Sequence, residues 1–223
     1  MEGSIGTYGE KTLHRELKWQ IEPTGVFHEI PVGRYIADIK NDVGITEIQT
    51  RSFFKLRNKL IAFLPDYVVT LIYPIAHEKL ILWTAKDSGD IIRVRRSPKQ
   101  GSFYASFQEL YWIKSLLTSP NLRLKLILLD VSEKRQKAGK RRGYEIVDTI
   151  IRSTYSELSI DCIGDYLNLI PSELEEPFTT RDYAKMTGLN ARNAGIALNV
   201  LHFVGAAERV GKSGNFYLYR RHI

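Results

Sequence analysis

The stretch Arg34–Arg51, RYIADIKNDVGITEIQTR, constrains the fold more than any other part of the chain. Apolar and polar residues alternate up to Asp38, a polar turn follows through Asn41, Asp42 and Gly44, and alternation resumes from Ile45 to Thr50. That pattern predicts a β-hairpin with one face buried. Strand side chains alternate between faces, so Ile45, Glu47 and Gln49 share one side, while Thr46 and Ile48 face away. The hairpin carries Asp38 towards Glu47. Two carboxylates and an amide would then converge at the edge of an apolar sheet, a donor set suited to a hard cation such as Mg²⁺.

The flanking sequence predicts the layers around this hairpin. Ser4–Gln20 reads as an amphipathic helix with Leu13 and Leu17 on its inner side, ended by Pro23–Gly25. Phe27–Val32 reads as a strand. After the hairpin, Ser52 is the expected N-cap of a helix burying Phe53, Leu56, Leu60, Ile61 and Leu64, with Arg57, Asn58 and Lys59 outward. Tyr67–Tyr73 has the near-continuous apolar character of a strand covered on both faces. Leu80–Thr84 and Ile91–Val94 form an expected hairpin around Asp87–Gly89, Phe103–Leu117 a helix and Leu124–Val131 a buried strand. The Lys/Arg-rich run Ser132–Gly143 reads as a loop. Strands joined by helical crossovers make this an α/β chain with a mixed central sheet flanked by helices.

Beyond this region the charge pattern changes. Residues 157–176 contain Glu157, Asp161, Asp165, Glu173, Glu175 and Glu176 and no Lys or Arg, and read as an acidic connecting segment between domains 1–156 and 177–223. In the last of these, Thr179 or Thr180 caps a short helix, Gly188 turns the chain, Asn190 caps a second helix burying Ala194, Ala197, Leu198 and Leu201, and Glu208–Arg220 forms a hairpin.

A lone Cys162 excludes an internal disulfide and a cysteine zinc site. The longest apolar runs are too short to span a bilayer, and the N-terminus lacks a signal-peptide core, so the expected setting is cytoplasmic, with no membrane partner. A net charge of +7 leans towards a polyanion. His14, His28, His77 and His202 have no metal-site spacing and read as ordinary histidines.

On these residues, the front of the chain resembles the PD-(D/E)XK nuclease superfamily, the restriction-endonuclease-like fold, and most nearly its Holliday-junction-resolvase branch. The matching features are the helix GTYGEKTLHRELK, Asp38 in YIADI and Glu47 in TEIQT. The resemblance implies that Glu10 (or else Glu16), Asp38 and Glu47 hold Mg²⁺ (or Mn²⁺), and that Gln49 stands where the family usually has Lys. Arg51, Lys55 or Lys59 could supply the missing charge. Residues 178–221 resemble the winged helix-turn-helix family, which implies base contacts by Asn190, Arg192 and Asn193 and phosphate contacts by Arg209, Lys212, Arg220 and Arg221. The expectation is a metal-dependent DNA endonuclease, with a homodimer as one possible assembly. The alternative is a non-catalytic DNA-binding or regulatory protein on an inactive nuclease-like scaffold.

Overall fold

The computed structural model describes residues 12–138 and 143–222. The order of elements is α1 (Thr12–Ile21), β1 (His28–Val32), β2 (Tyr35–Asn41), β3 (Gly44–Ile48), α2 (Phe53–Phe63), β4 (Val69–Thr84) and β5 (Ile91–Arg96). A run of short helical turns follows, with α3 (Phe107–Leu110) at its centre. Then come β6 (Leu122–Lys137), β7 (Tyr144–Ile160), β8 (Phe178–Thr179), α4 (Thr180–Thr187), α5 (Ala191–Phe203), β9 (Ala207–Ser213) and β10 (Phe216–Arg221).

The chain is α/β. A seven-stranded mixed sheet runs β1-β2-β3-β4-β6-β7, with β5 on β4, and a second sheet runs β8-β10-β9. The β2–β3 hairpin forms with Ile39 opposite Thr46 and Asn41 opposite Gly44. Gly44 is required there: its φ is +142°, and a Cβ would lie 2.3 Å from the Val68 carbonyl oxygen. The α2 crossover then makes β3 and β4 parallel.

Helix α2 buries Phe53, Leu56, Leu60 and Phe63. Ile61, expected inside, is exposed, because this spacing already fills the inward stripe. Ser52 is not the expected cap. Its backbone is left-handed (φ 62°) and its side chain makes no capping bond. The Glu109 carboxylate instead accepts the Phe53 N–H at 2.8 Å, so the helix start is capped from another element.

Strand β4 is longer than the sequence suggests: Tyr67–Tyr73 and Leu80–Thr84 fall largely within one continuous strand through Pro74. Early on it pairs with β3, as far as Ile48 opposite Ile72, and late on with β5, from Leu80. The backbone groups of residue 74 point to the same side as those of residue 72, which lies on the β3 edge. The missing N–H of Pro74 therefore falls just beyond the end of β3, where no ladder bond is lost. Part of the β4 edge between the two partners is met by the loop at Gly101, whose N–H donates to the His77 carbonyl.

Residues 132–137 are not a loop but the continuation of β6, and residues 139–142 lie outside the described part. Among the charges that suggested solvent, Glu133 is almost fully buried, held by Arg135 two residues along the same strand and by Lys79 of β4 at 3.5 Å. Strand β7 was not read from the sequence. It pairs antiparallel with β6 along most of its length. It also takes residues 157–160 out of the expected connecting segment, and Tyr166, Leu169, Ile170 and Leu174 of that segment are buried. The expected helix Phe103–Leu117 is broken into 3₁₀ turns around α3.

The C-terminal elements form as the sequence predicts. Thr179 and Asp182 make a reciprocal capping box, Gly188 (φ 70°) turns the chain, and the Asn190 side chain accepts the Asn193 N–H at 2.9 Å. Met186 on α4 is exposed, while Tyr183 is fully buried. Tyr183, Ala197 and Leu201 belong to the same apolar cluster as Leu60, Leu110 and Leu126 of the sheet layer. The Tyr183 hydroxyl donates to the Leu169 carbonyl at 2.8 Å, and the Lys114 ammonium to the Asn199 side chain at 2.8 Å. With one core, Leu110→Ala should cost about 3 kcal/mol. Calorimetry should show a single, lower transition; separate melting of the C-terminal helices would contradict a shared core.

Candidate functional site

The β2–β3 hairpin does bring Asp38 and Glu47 together. The Asp38 N–H donates to Glu47 Oε1 at 3.3 Å, and Asp38 Oδ2 accepts the Ile48 N–H at 2.8 Å. Glu47 is 2% exposed, and its Oε2 accepts from the Lys59 ammonium at 2.5 Å. Lys59, expected on the outer face of α2, is thus turned inward with its side chain 17% exposed. The strand carboxylate recruits it, and helical periodicity alone does not foresee that.

His14 joins the group from α1. Its Nε2 lies 3.2 Å from Asp38 Oδ2 and 3.1 Å from the Ile48 carbonyl oxygen. The carbonyl can only accept, so Nε2 carries the hydrogen and bridges both. The sequence reading took His14 for an ordinary histidine. Its place four residues after Glu10, on one helical face, is the signal that could have picked it out.

Electrostatics separates the two acids. Burial, then the neighbouring Asp38 charge, pushes the Glu47 carboxyl up to about 7, with Lys59 opposing. For Asp38, burial works upward but is outweighed by His14, the Ile48 N–H and Lys59, so its carboxyl stays below the usual range. Asp38 Oδ1 accepts no hydrogen bond among the described residues.

Asp38, Glu47, His14, Gln49, Lys55 and Lys59 line a cavity of about 260 Å³. The Gln49 side-chain nitrogen is held by the Arg51 carbonyl, leaving its oxygen as the free polar end. His14 and Asp38 also border a cleft of about 890 Å³ that runs past Arg51, Tyr73–Ala76 and Lys99–Gly101 to Lys79 and Glu133. Among the described residues no group of three or more acids, histidines or cysteines is placed to hold a metal. Glu10 lies outside the described residues. The Glu16 carboxylate accepts the Ile151 N–H at 3.3 Å, on the β7 side of α1.

The residues expected to touch DNA fall into two groups, some engaged within the fold and some exposed. The Asn190 side chain caps α5, and Asn193 is half-buried beside it. Arg220 pairs with Glu208. The Arg221 guanidinium bonds the Pro171, Ser172 and Leu174 carbonyls and Glu176, anchoring the C-terminus to residues 171–176. Arg192 is exposed at the first turn of α5. Arg209 and Lys212 lie over the exposed Tyr217 ring at 4.2 and 4.9 Å. Arg181, over Phe216 at 4.8 Å, adds a cation the sequence reading did not single out.

Because Glu47 binds its proton more tightly folded than unfolded, its contribution to stability is complete below about pH 4.5 and is lost as pH rises through about 7. In metal-free buffer, wild type should therefore lose melting temperature relative to Glu47→Gln between about pH 5 and 8. Parallel profiles would contradict the raised carboxyl.

No helix among the described residues is long and apolar enough to cross a membrane. No solved structure matches the chain. An uncharacterized protein of Treponema pallidum (strain Nichols) is 30% identical over 224 residues, covering 98% of this chain and 88% of the relative. Residues 11–161, which contain the acidic pair and the whole large sheet, match the domain of unknown function DUF8091, and the chain belongs to that family.

Proposed function

We propose that this protein is a metal-dependent DNA endonuclease of PD-(D/E)XK type, directed to DNA by a C-terminal winged helix. The observation that carries this reading is the half-buried Asp38 beside the buried Glu47 on neighbouring strands, lining one cavity with Lys59, with Asp38 also bordering the large cleft. Buried like charges side by side call for a cation, and perturbed carboxyls in a cleft mark functional sites.

The residues fit Mg²⁺ (or Mn²⁺). Asp38 offers a carboxylate oxygen with no other partner among the described residues, Glu47 a second carboxylate, and such ions need only one or two. Glu10 is the third ligand that the sequence suggests. Bound there, the ion would polarise a phosphodiester and lower the pKa of a water.

The chain's own groups do the rest. His14 and the Ile48 N–H fix the orientation of Asp38. Lys59 supplies the positive charge absent at Gln49, placed to stabilise negative charge developing on a phosphate. Gln49 lines the cavity, and with its nitrogen on the Arg51 carbonyl its side-chain oxygen is left to accept a hydrogen from water. Arg192, Arg209 and Lys212 are the exposed cations left to meet DNA from the C-terminal elements, and Arg220 and Arg221 serve the fold. One observation favours the non-catalytic alternative, a DNA-binding scaffold: position 49 has no lysine, and its amide nitrogen is already engaged.

Incubation with plasmid and branched DNA separates the two. Wild type should cleave with Mg²⁺ or Mn²⁺ and not with EDTA, and Asp38→Ala and Glu47→Ala should not cleave. Lys59→Ala should lose about 10²–10³-fold, as when a charge-stabilising donor is removed, while Lys55→Ala stays near wild type. Wild type inert with both metals would leave the scaffold reading. Full activity in Lys59→Ala would remove that residue's role.

A further inference from the structure

The cleft does not stop at the acidic pair. It continues along the sheet to Lys79, Glu133, Ile146 and Thr149, where β4, β5, β6 and β7 project as a twisted arm. Cross-strand register puts Arg95, Ile81 and Glu133 in one row and Arg93, Trp83, Arg135 and Ile146 in the next. Lys137 and Tyr144 follow as a pair. All lie on the face that carries Leu129 and Val131 into the cleft, because β6 alternates regularly and the register shifts against it fall on its neighbours β4 and β7.

At the end of this face three flat groups meet. The Trp83 and Tyr144 rings are edge to face at 5.8 Å, and the Arg135 guanidinium lies 3.9 Å over the Tyr144 ring. Tyr144 is 46% exposed, and Arg93 and Arg95 on the edge strand are exposed beside them. The one carboxylate among these paired positions, Glu133, is already neutralised by Arg135 and Lys79.

We infer that this face binds an unpaired DNA strand, stacking bases on Trp83 and Tyr144 while Arg93, Arg95 and Lys137 follow its phosphates, and leads that strand through the cleft towards Asp38. The inference deepens the proposed nuclease reading, from which it takes the direction of the strand. Two features favour a single strand over a duplex. Partly exposed aromatic rings can receive bases only when those bases are unstacked, and a cationic track beside such rings is how sequence-tolerant single-strand sites are built. The cleft also has its floor along the β4 edge between β3 and β5, a gap in the sheet rather than a broad basic surface. In the substrate this points to a flap, a gap or an overhang.

The test is binding without cleavage. Fluorescence anisotropy in EDTA, with labelled oligonucleotides of about 12 nucleotides, compares a single strand with the blunt duplex of the same sequence. Wild type should bind the single strand. Trp83→Ala/Tyr144→Ala should weaken it at least about tenfold, within the range for lost base stacking, and leave the duplex unchanged. Trp83→Phe/Tyr144→Phe should keep most of the affinity. Circular dichroism reports folding. If the alanine pair is misfolded, Arg93→Ala/Arg95→Ala decides, with lower affinity and a shallower salt dependence expected. No single-strand binding by wild type, or single-strand affinity within about twofold of wild type in the deciding variant, overturns the inference. Because no metal is present, failure to cleave DNA would not affect this result.

Discussion

The rest of the structure is arranged around two carboxylates on adjacent strands, Glu47 buried and Asp38 largely shielded from water. Asp38 and Glu47 repel each other, and burial removes the solvent that would screen them. Backbone N–H groups, His14 and Lys59 offset that cost by direct contact. Each comes from a different element: α1, the hairpin itself and α2. The start of α2 is in turn fixed by Glu109, from the helical run that packs against the C-terminal helices. A chain of contacts therefore links the acidic pair to the far side of the molecule. Well-packed apolar residues would serve stability as well or better, so keeping such a group is an argument for chemistry.

A second constraint is the change of partner along β4. Its early part is covered by β3 and its late part by β5, with Pro74 just after the change. The uncovered edge opens the large cleft, and the acidic pair sits beside the end of β3 where that opening begins. Had β3 run on, the same acids would line a closed sheet with no room for a substrate. Gly101 keeps the loop close to the strand there; a Cβ on it would lie 2.2 Å from the Ala76 carbonyl oxygen.

Much of this was legible from residue order. The hairpin, the inner stripe of α2, the start of β4 and the capped C-terminal helices all carry local signals: alternation, turn residues and caps. What was missed depends on distant partners. The end of β6 looks like solvated loop until Lys79 and Arg135 are found on Glu133, and β7 has mixed polarity because much of its surface faces water. Ser52 looks like a cap, but the carboxylate that does the work is Glu109. Within the site, Asp38, Glu47 and Gln49 were found from their spacing. The position of Lys59 on the outer side of a helical wheel hides its ion pair, and His14 carries only the weak signal of lying four residues after Glu10.

The proposed role of Asp38 and Glu47 is to grip a divalent cation together. Electron paramagnetic resonance of Mn²⁺ titrated into the protein measures this without DNA or catalysis. The account requires a tightly bound ion in wild type that Mg²⁺ displaces and that Asp38→Asn/Glu47→Gln loses. Binding unchanged in that variant, or none in wild type, would contradict it.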